Sequence, residues 1–146
     1  MSRSDSKLQT LVRLLSHREA QAKRQLAARR QAMEGAESKA EELSGMQQEY
    51  QDRLNQASGK GVQSGDLRMW RRFNQQLDDV VAVQAMQVER LREELEQAQS
   101  ACLAALVKRR GGERLEEAQQ RHAATRAKRR ERVEASDQAN RRGDNG

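Results

Sequence analysis

Apolar residues recur every seven positions along two tracks from near the start of the chain. Counted from Leu8, the first reads Leu8, Leu15, Ala22, Arg29, Ala36, Leu43 and Tyr50; counted from Val12, the second reads Val12, Glu19, Leu26, Met33, Ala40, Gln47 and Leu54. Eleven of these fourteen are apolar with Tyr included. Positions three and four apart line one helical face, and a strict heptad implies a left-handed supercoil with a partner helix. Glu19, Arg29 and Gln47 weaken this seam locally while limiting alternative registers, and the frequent Ala predicts close packing. Gly35 and Gly45 each cost about 1 kcal/mol against Ala. Propensity alone does not secure such a helix, so a tertiary partner has to.

The partner is the second half of the chain. A stretch rich in Gly, Ser and Asn, Asn55 to Asp66 (NQASGKGVQSGD), is where the chain can reverse. After it a second seam runs through Trp70, Leu77, Gln84, Leu91, Ala98 and Ala105 on one track and Val81, Val88, Leu95 and Cys102 on the other, widened by Phe73, Val80 and Leu106. Asp66, with Ser64 beside it, is placed to cap this helix by accepting from a free backbone N–H of its first turn. A fold-back about residue 60 sets Tyr50 opposite Trp70, Leu43 opposite Leu77 and Leu8 opposite about Gly112. The second seam therefore fades, beyond Val107, where the first helix runs out. A short connection favours antiparallel neighbours within one chain. The expected fold is all-α: a long two-helix antiparallel coiled-coil hairpin with a C-terminal helical overhang, forming a single elongated hairpin over residues 1–146. Its parts are helix 1 over about 5–55, a turn over 56–66, helix 2 over about 67–140 with a hinge at 111–112, and a disordered tail over 141–146. At 1.5 Å per residue the paired rod is roughly 70 Å long and the overhang roughly 40 Å.

Composition agrees with that reading. Only 35% of residues are hydrophobic, 34% are charged and there is no proline, as in long helices rather than globules. No apolar run approaches the roughly 20 residues needed to span a bilayer. Residues Met1 to Ser6 lead into the first heptad without an apolar signal region, and the lone Cys102 excludes an intramolecular disulfide. A cytoplasmic, soluble protein is expected, recruited to any membrane by something already there. Charge is uneven: Lys108 to Gly146 holds twelve Lys or Arg and seven Asp or Glu, a net +5 of the chain's +6. The bland account of this overhang is a solvated helix end. The functional one is a surface for an acidic protein, anionic lipid or phosphate backbones.

Catalytic and cofactor signals are absent from the sequence. His17 and His122 are isolated, which argues against a metal site, and Cys102 lies on the seam as a small packing residue. The turn sequence SGKG lacks the GxxxxGK[ST] pattern and a preceding strand, so it is a flexible turn rather than a phosphate loop. Carboxylates abound, but nothing on an exposed rod desolvates a pair for acid–base work. No enzyme, cofactor or metal is expected.

The aromatics are the remaining signal. Tyr50, Trp70 and Phe73 are the only ones in the chain, and all flank the turn. One role is to lock the turn end by packing across the helices. The second, compatible role is display, because a two-helix rod cannot fully bury three large rings and binding hot spots favour Trp and Tyr.

The run QQEYQDRLNQASGKGVQS followed by WRRFNQQLDDVV resembles the flagellar FliJ family, small helical-hairpin proteins of the flagellar type III export apparatus. That family has a Tyr and a Leu four apart ending the first helix, a Gly-containing turn, then a Phe and a Leu four apart. Tyr50, Leu54, Phe73 and Leu77 match. The likeness extends over nearly the whole chain, through the N-terminal leucine repeat to the closing Glu134, Asp137, Ala139 and Arg141. It implies a coiled-coil stalk, similar to the central stalk of rotary ATPases, that assembles and stimulates the hexameric flagellar export ATPase. It also implies contact with the export gate membrane protein and escort of export chaperones, in support of flagellum biogenesis, motility and chemotaxis. The membrane would be met only peripherally, at the cytoplasmic face of the inner membrane, through these partners, with no specific nucleic acid. By resemblance, gate docking falls to Leu43, Tyr50, Phe73, Leu77, Val80 and Gln84. ATPase-ring contact falls to Leu8, Leu11, Leu15, Arg109, Arg110, Arg114, Arg121, Arg126, Arg129 and Arg130.

Two departures stand out: Asn74 replaces an apolar residue after the Phe, and Gly111-Gly112 puts a hinge where the family implies a continuous helix. Two alternatives stay open. One is the equivalent stalk of a virulence type III system. The other, of a different class, is a basic coiled-coil nucleic-acid binder, against which stands the lack of aromatics among its arginines and of any recognition motif.

Overall fold

The heptad tracks become two long helices in the computed structural model, which describes residues 3–61 and 64–144 apart from the Ser64 side chain. Helix α1 is Arg3–Gly59 and helix α2 is Ser64–Asp144. Among the described residues there are no strands, and the fold is an all-α helical hairpin. Nothing interrupts either helix because the chain lacks proline. Asp5 and Asp66 stand in the first turns and Arg141 and Arg142 in the last turn of α2, each matching the sign of the helix dipole there.

Both helices run further than the sequence pattern suggests. The expected turn over 56–66 shrinks, since α1 continues to Gly59 and α2 starts at Ser64. The last turn of α1 is closed by Lys60 N–H donating to the Ala57 carbonyl at 3.2 Å. Gly61 follows at φ 70°, in the left-handed region that favours glycine after a helix. Residues 62 and 63 lie outside the described residues. Asp66 is inside the first turn of α2 rather than capping it, and the part expected of the Ser64 side chain also lies outside the description. Of the tail expected to be disordered, Arg141–Asp144 are helical, and 145 and 146 are not described.

Contacts divide the hairpin into two units. The unit Ala22–Cys102 pairs the second part of α1 with the first part of α2 in antiparallel sense. Every seam residue named above for this unit is shielded except Arg29, Phe73 and Val80. Arg29 instead leans out to form an ion pair with Glu94 at 2.8 Å. Polar seam residues find partners across the helices: Gln84 Nε2 donates to the Ala36 carbonyl at 3.0 Å and Gln47 Nε2 to Asp78 at 2.6 Å. Asn74 is buried, 7% exposed, one heptad before Val81 and so on the same track.

The other unit combines Met1–Gln21 with Leu103–Gly146. Here Glu19, 4% exposed, is paired with Arg109, whose guanidinium also donates to Glu113 at 2.7 Å. Glu113 first and then Glu19 hold the Arg109 guanidinium above the ordinary arginine range, so it is a cation at any pH at which the helices exist. Gln119 donates to Ser4 Oγ at 3.3 Å. From Arg121 to Asp144 every residue is exposed.

Partners in α2 fall a few residues later than a fold-back about residue 60 gives. The reversal is centred between Gly59 and Ser64. Gly112 accordingly lies against Val12 and Leu15 instead of Leu8. It is also not a break: α2 runs through both Gly111 and Gly112. A Cβ at Gly112 would stand 2.9 Å from Leu15 Cδ1, whereas one at Gly111 would meet nothing within 4 Å. Gly111→Ala is therefore expected to stabilise the hairpin by about 1 kcal/mol. Gly112→Ala should gain less than that or lose stability. Chemical denaturation of the two variants checks this, and equal gains would contradict the close approach at Gly112.

Candidate functional site

The aromatic cluster is built across the two helices of the central unit. Tyr50, near the end of α1, meets Trp70 at 5.9 Å between ring centres, tilted 39°, and Phe73 edge-on at 4.8 Å. The Phe73 contact is the edge-to-face arrangement that aromatic quadrupoles prefer, worth about 1 kcal/mol beyond area burial, and the Trp70 contact is tilted between stacked and edge-on. The Arg53 guanidinium sits 5.5 Å from the Tyr50 ring centre, in cation–π range. The rings thus brace the turn end. They are not used up by doing so: Phe73 remains 41% exposed, and Tyr50, Met69, Trp70 and Phe73 line an open hollow of about 320 Å³.

The apolar surface continues along α2. Met69, Phe73, Val80 and Val83 are all exposed and fall within about 80° of one another around the helix. Val80 and Val83 share a second hollow with Leu43, Lys39, Asp79 and Gln84. Of the six expected gate-docking residues, Phe73 and Val80 are exposed and Leu43, Tyr50 and Gln84 are half-buried. Leu77, at 7%, is a core residue beneath them, and the Gln84 amide is engaged by the Ala36 carbonyl. Met69 lines the first hollow but breaks the seam period, which is why the heptad pattern passes over it. Asn74 is a different omission. The Val81 track carried back one heptad lands on it, and its buried Nδ2 has no hydrogen-bond partner.

In the basic unit, Leu8 and Leu15 are half-buried toward α2 and Leu11 is exposed. Arg109 is committed to Glu19 and Glu113. Arg110, Arg114, Arg121, Arg126, Arg129 and Arg130 are exposed. Asp5, His122, Arg126 and Arg130 line a polar hollow at the start of α1. The Glu19–Arg109 pair escaped sequence reading because its halves carried separate interpretations, a seam exception and a ring contact. A buried acid on a seam is itself a signal for a cation opposite.

Among the described residues no group of His, Cys, Asp and Glu could hold a metal ion, and no helix is long and apolar enough to cross a membrane. What the geometry offers is two surfaces, one apolar and aromatic, one basic.

Comparison with known proteins adds one finding. No curated protein and no solved structure matches the chain. The family model described as flagellar FliJ protein matches residues 4–142 of the 146. With nearly its whole length under that description, the chain belongs to the flagellar FliJ protein family and is a flagellar export-related protein.

Proposed function

We propose that this protein is a coiled-coil stalk of the flagellar export apparatus. It docks on the export gate membrane protein through the face around Tyr50, Phe73 and Val80, engages the hexameric export ATPase through the basic unit, and escorts emptied export chaperones. The observation that carries the reading is the partial exposure of the aromatic cluster. A chain with three aromatics leaves Phe73 41% and Val80 48% exposed beside Tyr50 on one face of a heavily charged molecule. Grouped apolar exposure of this kind marks an interaction surface. The exposed arm Arg121–Asp144 supports the second contact, since a helix with no buried residue is marginal in water and gains from a partner. Membership of the flagellar family favours the flagellar system over its virulence counterpart. Association with the inner membrane, in this reading, follows from the gate.

The gate contact separates from stability by choice of residue. Phe73→Ala with Val80→Ala is expected to weaken binding to the purified cytoplasmic part of the gate protein by at least tenfold, the size of a hot-spot loss. Its stability should fall by only about 1–2 kcal/mol, from the lost edge contact with Tyr50. Leu77→Ala, a buried truncation, should instead cost about 2–5 kcal/mol in stability. Calorimetric titration alongside denaturation distinguishes them. Unchanged gate affinity in the Phe73, Val80 double variant would leave the cluster a purely structural brace.

Arg109 needs the opposite reading. Arg109→Ala should lower the unfolding midpoint, because it removes the guanidinium paired across the helices with the buried Glu19. Arg110→Ala, at an exposed position, should leave the midpoint within about a degree or two.

A further inference from the structure

Within the basic unit the charges of α2 are sorted by side. At 100° per residue, Arg110, Arg114, Arg121, Lys128 and Arg132 fall within an arc of about 40°. All five are exposed. The residues that face α1, namely Arg109, Gly112, Glu116 and Gln119, lie on nearly the opposite side, so the stripe points outward. Glu117 borders it. The acids Glu113, Glu116, Glu131, Glu134 and Asp137 lie at least about 80° round the helix from its centre. Because α2 is unbroken from Ser64 to Asp144, the stripe is continuous over about 33 Å.

We propose that this outward face is a docking surface for an anionic phospholipid bilayer. A plane meets all five cations at once, with Glu117 the one acid near it and the other acids turned away. A nucleic-acid duplex shows its phosphates to a straight helix only where a strand crosses, over roughly the 12 Å of a groove. The large apolar side chains Leu115 and Val133 sit about 120° from the stripe's centre, and the exposed Leu103 and Val107, which share its side of the helix, precede its first cation, so contact along the stripe is peripheral, without insertion. Attraction is confined to about a Debye length, ~8 Å at physiological salt, and each cation contributes about fivefold to partition on an acidic leaflet. This contact is direct, beyond recruitment through a gate, and independent of any ATPase.

The test is sedimentation of the full chain with phosphatidylglycerol–phosphatidylcholine vesicles and with phosphatidylcholine alone. Binding is expected only to the anionic vesicles, weakening as salt rises. Arg114→Gln, Arg121→Gln and Lys128→Gln together should lower partition on the order of 100-fold. Arg126→Gln, Arg129→Gln and Arg130→Gln remove the same charge off the stripe and should lower it less than tenfold. All six positions are exposed, so far-ultraviolet dichroism should show both variants folded. Arg114→Lys with Arg121→Lys should keep wild-type partition. Equal losses in the two triple variants would reduce the effect to net charge and overturn the proposal. So would absence of binding to anionic vesicles at low salt, or tighter binding to random duplex DNA at the same salt.

Discussion

Long helices in water are held by what their apolar stripe packs against, not by propensity, and the stripe of this protein is thin. It is built largely from Ala, single Leu and Val residues and one glycine, Gly112, with charged or amide groups inserted at intervals. Every other feature of the hairpin depends on the two helices approaching closely enough for that stripe to count. Gly112 makes the point in the basic unit, where Leu15 Cδ1 occupies the space a Cβ would need. In the central unit Met33 and Leu77 are the buried apolar residues, and the aromatic stack of Tyr50, Trp70 and Phe73 closes the end near the reversal.

The polar insertions decide register more than they add stability. Replacing a buried ion pair by apolar residues is often neutral or favourable, so Glu19–Arg109 is weak grounds for strength. What such pairs do is penalise slippage. If α2 slid by one heptad, Glu19 would lose Arg109 and Gln84 would lose the Ala36 carbonyl. Function then uses what the seam leaves over. On the central unit that is an apolar face running from Met69 through Phe73 to Val83; on the basic unit it is a helix whose residues past Arg121 bury nothing.

Much of this was legible in the sequence, for definite reasons. The heptad tracks named thirteen shielded positions of fourteen in α1, because a period of seven fixes a face irrespective of residue type. Arg29 was the exception, since a long cation can leave the seam for Glu94. The aromatic cluster was legible because only three aromatics exist and all flank one break. Helix ends were less so: Gly59 and Ser64 are helical although Gly, Ser and Asn favour turns, tertiary pairing overriding weak propensity. The few-residue offset in pairing follows from that error. Gly111-Gly112 looked like a hinge because glycine serves both flexibility and close packing, and only the neighbour across the seam tells which. Leu77 belonged to the docking set by resemblance, yet burial makes it a support. Site roles rest on exposure, which heptad arithmetic assigns for the seam but not for its flanks.

The central claim, a stalk that acts on the export ATPase through its basic unit, is tested most directly by steady-state ATP hydrolysis. The purified export ATPase should be assayed with the full chain and with a chain ended after Gln120. Ending there removes the exposed arm while sparing Gln119, Gly112 and Arg109, which hold α1. The account predicts stimulated turnover and more closed hexamers with the full chain, and loss of both with the shortened chain at unchanged thermal stability. Equal turnover with and without the full chain, at concentrations where the two proteins bind, would contradict it.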